Sequence, residues 1–225
     1  MTPKPIEFTG AEGNRLAADL WDGRGHPVLL LHGGGQTRRA WDMTARRVAD
    51  AGMRSVTVDL RGHGESEWAK SGDYSFAAYG ADVAALVRQT AERFHAAPSV
   101  VGASLGGLSA LVAELDHEPL LDSLILVDIT PRMDVGGVDR VQGFMGARME
   151  EGFASLEEAA EAIAGYLPNR KRPRSLDGLR KNLRLDADGR YRWHWDPAFM
   201  KSERNVNFRA RETMEYLLAN LPRLH

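Results

Sequence analysis

The 225-residue chain has no cysteine. That absence removes disulfides, thiolate nucleophiles and cysteine-ligated metals together. An excess of charge is missing too: 29 Lys and Arg stand against 31 Asp and Glu, a formal net charge of -2. Nucleic-acid and anionic membrane partners draw on a large basic excess, so neither is expected. Long apolar runs are absent as well. The longest candidates, such as residues 28–31, have strand length, whereas a spanning helix needs about 20 apolar residues. Met1-Thr-Pro-Lys-Pro5 carries no apolar stretch of the kind a secretory signal uses. There are no internal repeats, no His-Glu-x-x-His, no Gly-x-Gly-x-x-Gly and no Gly-Lys-Ser/Thr phosphate loop. These gaps read as a soluble, cytoplasmic protein that needs no metal or cofactor.

What is present has the balance of a globular domain, 43% hydrophobic and 27% charged. Residues 27–32, 54–60, 98–102 and 124–129 are short runs rich in Val, Ile and Leu, as in strands buried on both faces of a parallel sheet. Helical periodicity lies between them, at 37–51, 76–94 and 105–115. The alternation predicts an α/β fold with right-handed crossovers and a mostly parallel sheet. Residues 6–8 and 15–21, split by Glu12-Gly-Asn14, predict an antiparallel hairpin before it. Residues 1–130 thus form a core with the first six strands. After residue 130 the pattern changes. Residues 131–204 read as a mostly helical insertion, with helical stretches at 138–150, 156–166 and 176–183. Within it, Asp186-Ala-Asp-Gly189 is a turn, followed by Tyr191, Trp193 and Trp195 in alternation. Residues 205–225 begin with a helix, 205–220, returning to the core.

The chemistry concentrates at glycine turns. Gly102-Ala-Ser104-Leu-Gly106 sits directly after one predicted strand and before one predicted helix. A serine on so sharp a turn needs glycine two positions before and after it, where side chains would collide. The helix start beneath it offers unpaired N–H groups and a positive dipole end. His32-Gly-Gly-Gly35 ends an earlier strand, and successive glycines let backbone N–H groups approach a ligand. Acyl transfer needs two such donors where a carbonyl oxygen becomes an anion. The candidates are the N–H of Leu105 and of Gly34, with Gly35 the neighbouring alternative.

These segments, with Asp59-Leu-Arg-Gly-His63-Gly-Glu-Ser66, resemble three motifs of the α/β-hydrolase superfamily in register. The resemblance covers the whole chain in order and is nearest to serine esterases and the cofactor-free haloperoxidase-like branch. It implies an α/β-hydrolase fold with a helical cap, and a serine hydrolase that cleaves a small ester or related acyl substrate through an acyl-enzyme. Ser104 is then the nucleophile and Leu105 and Gly34 the oxyanion donors. A perhydrolase or haloperoxidase-like enzyme on the same site, and an inactive binding domain, are the alternatives. In that family the acid and histidine follow the serine, each after a later strand. The resemblance therefore implies that two strands, a final helix, the usual acid and the catalytic histidine lie beyond His225. Within the chain, Asp128 is the candidate acid, with a hydrogen bond to the turn at Thr130-Pro131 as the competing reading. No catalytic base is assigned among His26, His32, His63, His95, His117, His194 and His225. His32 and His63 read best as hydrogen-bonded loop imidazoles. The basic run Asn169-Arg-Lys-Arg-Pro-Arg174 reads as a solvated loop. Trp193, Trp195, Phe199, Met145 and Met149 could line an acyl pocket or simply pack.

Overall fold

The computed structural model describes residues 2–117, 120–129, 143–146, 148–166 and 175–224. Six strands form its main sheet: β1 Lys4–Thr9, β2 Arg15–Trp21, β3 Pro27–Leu31, β4 Arg54–Val58, β5 Ser99–Ala103 and β6 Ser123–Val127. Their order is β1-β2-β4-β3-β5-β6. The β1–β2 and β2–β4 pairs are antiparallel, while β4, β3, β5 and β6 run parallel. The sheet is thus mostly parallel, with the expected hairpin at one edge.

Alternation along β3 assigns each face its own helix. Leu29 and Leu31 join Val56, Val58 and Val100 in the larger cluster, beneath α2 (Phe76–Phe94) and α3 (Leu105–Asp116). Val28 and Leu30 point the other way, onto Ala45 and Ala49 of α1 (Asp42–Asp50). All five β3 residues are buried, the pattern of a strand covered on both sides. Ser75 caps α2 by accepting the Ala78 N–H. Gly80 lets α2 close on α3, since a Cβ there would stand 2.4 Å from Val112 Cγ1.

β3 lies between β4 and β5, so chain order reverses across it. In open α/β sheets ligands bind outside the carboxyl ends of strands at such a switch point. The turns after β3, β4, β5 and β6 all emerge at that end, carrying His32–Gly35, Asp59–Ser66, Ser104 and Asp128. β6 is the sheet's edge among the described residues, with Ile125 53% exposed.

The later elements are α4 (Leu156–Tyr166), a 3₁₀ turn (Asp177–Lys181), a hairpin of β7 (Leu183–Leu185) and β8 (Tyr191–Trp193), a short α5 (Ala198–Lys201) and α6 (Ala210–Asn220). Three helix expectations change. Residues 37–51 split into a 3₁₀ turn, Arg38–Trp41, whose first N–H, that of Arg38, donates to the Asp59 carboxylate at 2.5 Å, and α1. Residues 176–183 give only the 3₁₀ turn, since Leu183 pairs with Trp193 as a strand. The helix expected from residue 205 begins at Ala210, where Arg209 adopts φ 52. Of residues 138–150, positions 143–146 are helical; 138–142 lie outside the described residues, as do 169–174 and the turn at Thr130-Pro131.

Candidate active site

Ser104 occupies the single residue between β5 and α3. Its backbone has φ 45 and ψ -114, away from the wells open to L-residues. Such a conformation costs on the order of 1–3 kcal/mol and persists only where its surroundings impose it. Those surroundings are the glycines. A Cβ on Gly102 would stand 2.5 Å from Gly107 Cα, and one on Gly106 would meet Leu31 Cβ at 2.7 Å and the His32 carbonyl at 2.8 Å. The Gly106 N–H donates to the His32 carbonyl (3.2 Å) and the Ser104 N–H to the Val127 carbonyl (3.4 Å). The Ser104 side chain is exposed and has no hydrogen-bond partner among the described residues.

Two imidazoles hold the glycine loop after β3. His32 Nδ1–H donates to the Gly33 carbonyl (2.8 Å), leaving Nε2 to accept the Leu60 N–H (3.0 Å). His63 Nδ1–H donates to the Arg61 carbonyl (2.9 Å), leaving Nε2 to accept the Gly35 N–H (3.1 Å). Each ring must therefore be neutral. Burial agrees, pushing His32 down to about 4 and His63 to about 3, with the neighbouring ring a further depressing influence on His63. The Gly35 N–H is thereby already taken by an acceptor within the fold. The N–H groups of Gly34 and Leu105 have no acceptor among the described residues.

Behind the loop lies a buried ion cluster. Arg38, 4% exposed, donates to Asp19 (2.8 Å), Asp59 and Glu65 (2.6 Å). Asp59 also accepts the N–H groups of Arg38 and Glu65. The cluster fixes the 59–66 turn, and through His63 it fixes Gly35. A second seam runs from this turn to the segment after β8. The Gly64 N–H donates to the His194 carbonyl and the Asp196 N–H to the Gly62 carbonyl, each at 2.7 Å. Tyr74 Oη–H donates to Asp196 at 2.5 Å. Over the loop sit Phe199, Met145 and Trp195.

The profile of the alpha/beta hydrolase family matches residues 28–224. The chain belongs to that family. Among its relatives is an esterase of Mycobacterium tuberculosis, Rv0045c, 30% identical over 200 residues, covering 84% of this chain and 63% of that protein. Protein phosphatase methylesterase 1 of Mus musculus is 32% identical over 139 residues, covering 61% of this chain and 36% of that protein. The chain thus spans less than two thirds of the length of these curated relatives. A crystal structure of an alpha/beta hydrolase from Novosphingobium aromaticivorans superposes with TM-score 0.78 at 23% identity, covering 96% of this chain and 79% of that one. It has the same fold.

Within this family frame, the expected residues fall as follows. Ser104, Leu105 and Gly34 come together at one end of the sheet. Asp128 is exposed and follows Val127, the residue whose carbonyl takes the Ser104 N–H; its φ is 54. No described imidazole is hydrogen-bonded to Ser104. His26 pairs with Ser99 Oγ (2.9 Å), His95 ends α2 in a left-handed conformation, and His117 follows α3. His194 is half-buried, its basicity lowered chiefly by burial. His225 lies outside the described residues. Sequence spacing did not reveal Arg38, Asp19 and Glu65. The one available signal was charge, Asp59 and Arg61, directly after the buried strand β4.

The neutral imidazoles have a consequence for stability. Unfolded, each takes its ordinary value near 6.5. Below that pH the unfolded chain binds protons that the folded chain excludes. Their contribution is complete above about pH 6.5 and is lost as pH falls toward about 4 and 3. The urea-unfolding free energy is expected to fall between pH 6.5 and 4.5 by up to about 1.4 kcal/mol per pH unit per imidazole. His63→Gln keeps an acceptor for the Gly35 N–H and should reduce that slope by about one proton. Equal slopes would remove His63 from the account.

Proposed function

We propose that the protein is a serine hydrolase acting on a small ester or related acyl compound. The observation that carries this reading is the exposed Ser104 on a strand-to-helix turn with positive φ, without a hydrogen-bond partner among the described residues, at the same end of the sheet as the Gly34 and Leu105 N–H groups, which have no acceptor among those residues. The esterase names of relatives support it at the level of reaction class.

In the proposed cycle Ser104 Oγ forms a bond to the substrate carbonyl carbon. The C=O pair moves onto oxygen, where the Gly34 and Leu105 N–H groups stabilise it. A base receives the Oγ proton, and Asp128 is the proposed acid that orients this base. Collapse of the tetrahedral species breaks the bond to the leaving alcohol, which takes up the proton. Water then repeats the sequence on the acyl-enzyme, giving the carboxylic acid and restoring Ser104. Residues 131–204 are the proposed cap, supported by the hydrogen bonds from Gly64 and Asp196. Residues 205–225 are proposed to return to the core, where α6 packs on α3.

The test is a fluorophosphonate probe followed by peptide mass spectrometry. Covalent capture on Ser104, blocked by prior incubation with a short-chain aryl ester, is the expected result. A folded protein left unmodified, or modified at another residue, would sink the proposal.

A further inference from the structure

We propose that Trp195 determines specificity: its indole N–H reads a neutral hydrogen-bond acceptor on the acyl substrate, close to the scissile carbonyl. This rests on the reading of Ser104 and Gly34 given above. Trp195 is 2% exposed, yet its Nε1 has no acceptor among the described residues. Buried indole N–H groups normally find one. The Nε1 atoms of Trp21, Trp41 and Trp193 are also unpaired, but they are sealed from solvent; that of Trp195 is not among the sealed atoms.

Its position gives the free donor a direction. The three loop glycines each face a different neighbour. A Cβ on Gly33 would stand 3.5 Å from Ser104 Cβ; one on Gly34 would stand 3.2 Å from Phe199 Cζ and 3.9 Å from Leu105 Cδ2. One on Gly35 would stand 2.8 Å from Met145 Cε and 3.7 Å from Trp195 Nε1. Consecutive Cα atoms lie about 3.8 Å apart. The indole nitrogen therefore lies within about 10 Å of the Gly34 nitrogen, a gap that two hydrogen bonds and a short acyl chain can span.

Trp195 is also held in place. Its backbone bridges to His63, between the hydrogen bonds from Gly64 and Asp196. Its ring meets Phe199 edge-on at 5.8 Å. A donor fixed in this way costs little reorganisation on binding. The wall beside it is the Met145 thioether and the Phe199 ring, which offer a carboxylate no countercharge. A keto or hydroxyl oxygen on the acyl chain fits this chemistry.

The experiment compares ethyl 3-oxobutanoate with ethyl butanoate, which differ by the keto oxygen. Ser104→Ala protein labelled with ¹⁵N is titrated with each. One indole N–H resonance should move downfield with the keto ester and stay in place with the other. Its loss in Trp195→Phe assigns it to Trp195; if that variant does not fold, a cross-relaxation signal to the Met145 methyl assigns it. A Trp195 resonance that stays with both esters, or moves equally with both, would overturn the inference. In kinetics, the kcat/KM ratio of the matching aryl esters should fall about tenfold in Trp195→Phe, the worth of one hydrogen bond; an unchanged ratio would also overturn it. A Ser104 that refuses the fluorophosphonate would end the hydrolase reading, while the titration would still decide for or against Trp195.

Discussion

Ser104→Ala is expected to lower kcat for a short-chain aryl ester by about 10⁴- to 10⁶-fold, with KM changing much less. Removing the nucleophile of an acyl-transfer site abolishes the covalent route and leaves only the residual effect of oxyanion donors and binding. At about 1.4 kcal/mol per decade, this is on the order of 5–8 kcal/mol of transition-state stabilisation. Folding should not change with it. The Ser104 hydroxyl is exposed and makes no hydrogen bond among the described residues, and alanine meets the same φ of 45 that serine does. Melting temperature within about 2 °C of the parent, with activity lost, is the expected pair of results. A variant that keeps more than a tenth of parental kcat would mean the reaction runs elsewhere.

The largest effect on stability is expected from Asp82→Ala. Arg61 is 1% exposed and its Nε and Nη2 both donate to the Asp82 carboxylate, each at 2.7 Å. The same carboxylate accepts the Ala11 N–H (2.8 Å) and the Asn14 amide (3.2 Å). Truncating it leaves a buried guanidinium half-paired and a loop N–H without its acceptor. Breaking one side of a buried pair costs about 3–5 kcal/mol. For a chain of this size that is a drop in melting temperature on the order of 10 °C. Replacing both partners by apolar residues, Arg61→Met with Asp82→Leu, should cost less than the single change, because no charge is stranded. A single variant melting within 2 °C of the parent would show that the pair contributes nothing net.

The sheet and the turn around Ser104 were legible in the sequence because both are local. Short runs rich in Val, Ile and Leu, the first three closed by glycine, give the parallel strands, and α2 spans the predicted residues 76–94. What was not legible depends on contacts between distant residues. The Arg38 N–H at the start of the 3₁₀ turn is taken by Asp59, 21 positions away. The β7–β8 pairing outweighs a helical pattern at residues 176–183. His63 looked like any loop imidazole; only the fold shows that it accepts the N–H of Gly35, 28 positions away. The same long-range bond occupies the Gly35 N–H, which the glycine run alone did not reveal.

The seam between the 62–64 turn and residues 194–196 bears on how pockets could be exchanged among relatives. Its bonds are made by backbone groups on both sides, and the His63 ring packs on Phe199 at 4.8 Å. A graft that carries residues 183–199 alone would lose its anchor and bring in a Trp195 whose backbone bridge to His63 is gone. The transferable unit is that segment together with its turn, so variation in one constrains variation in the other.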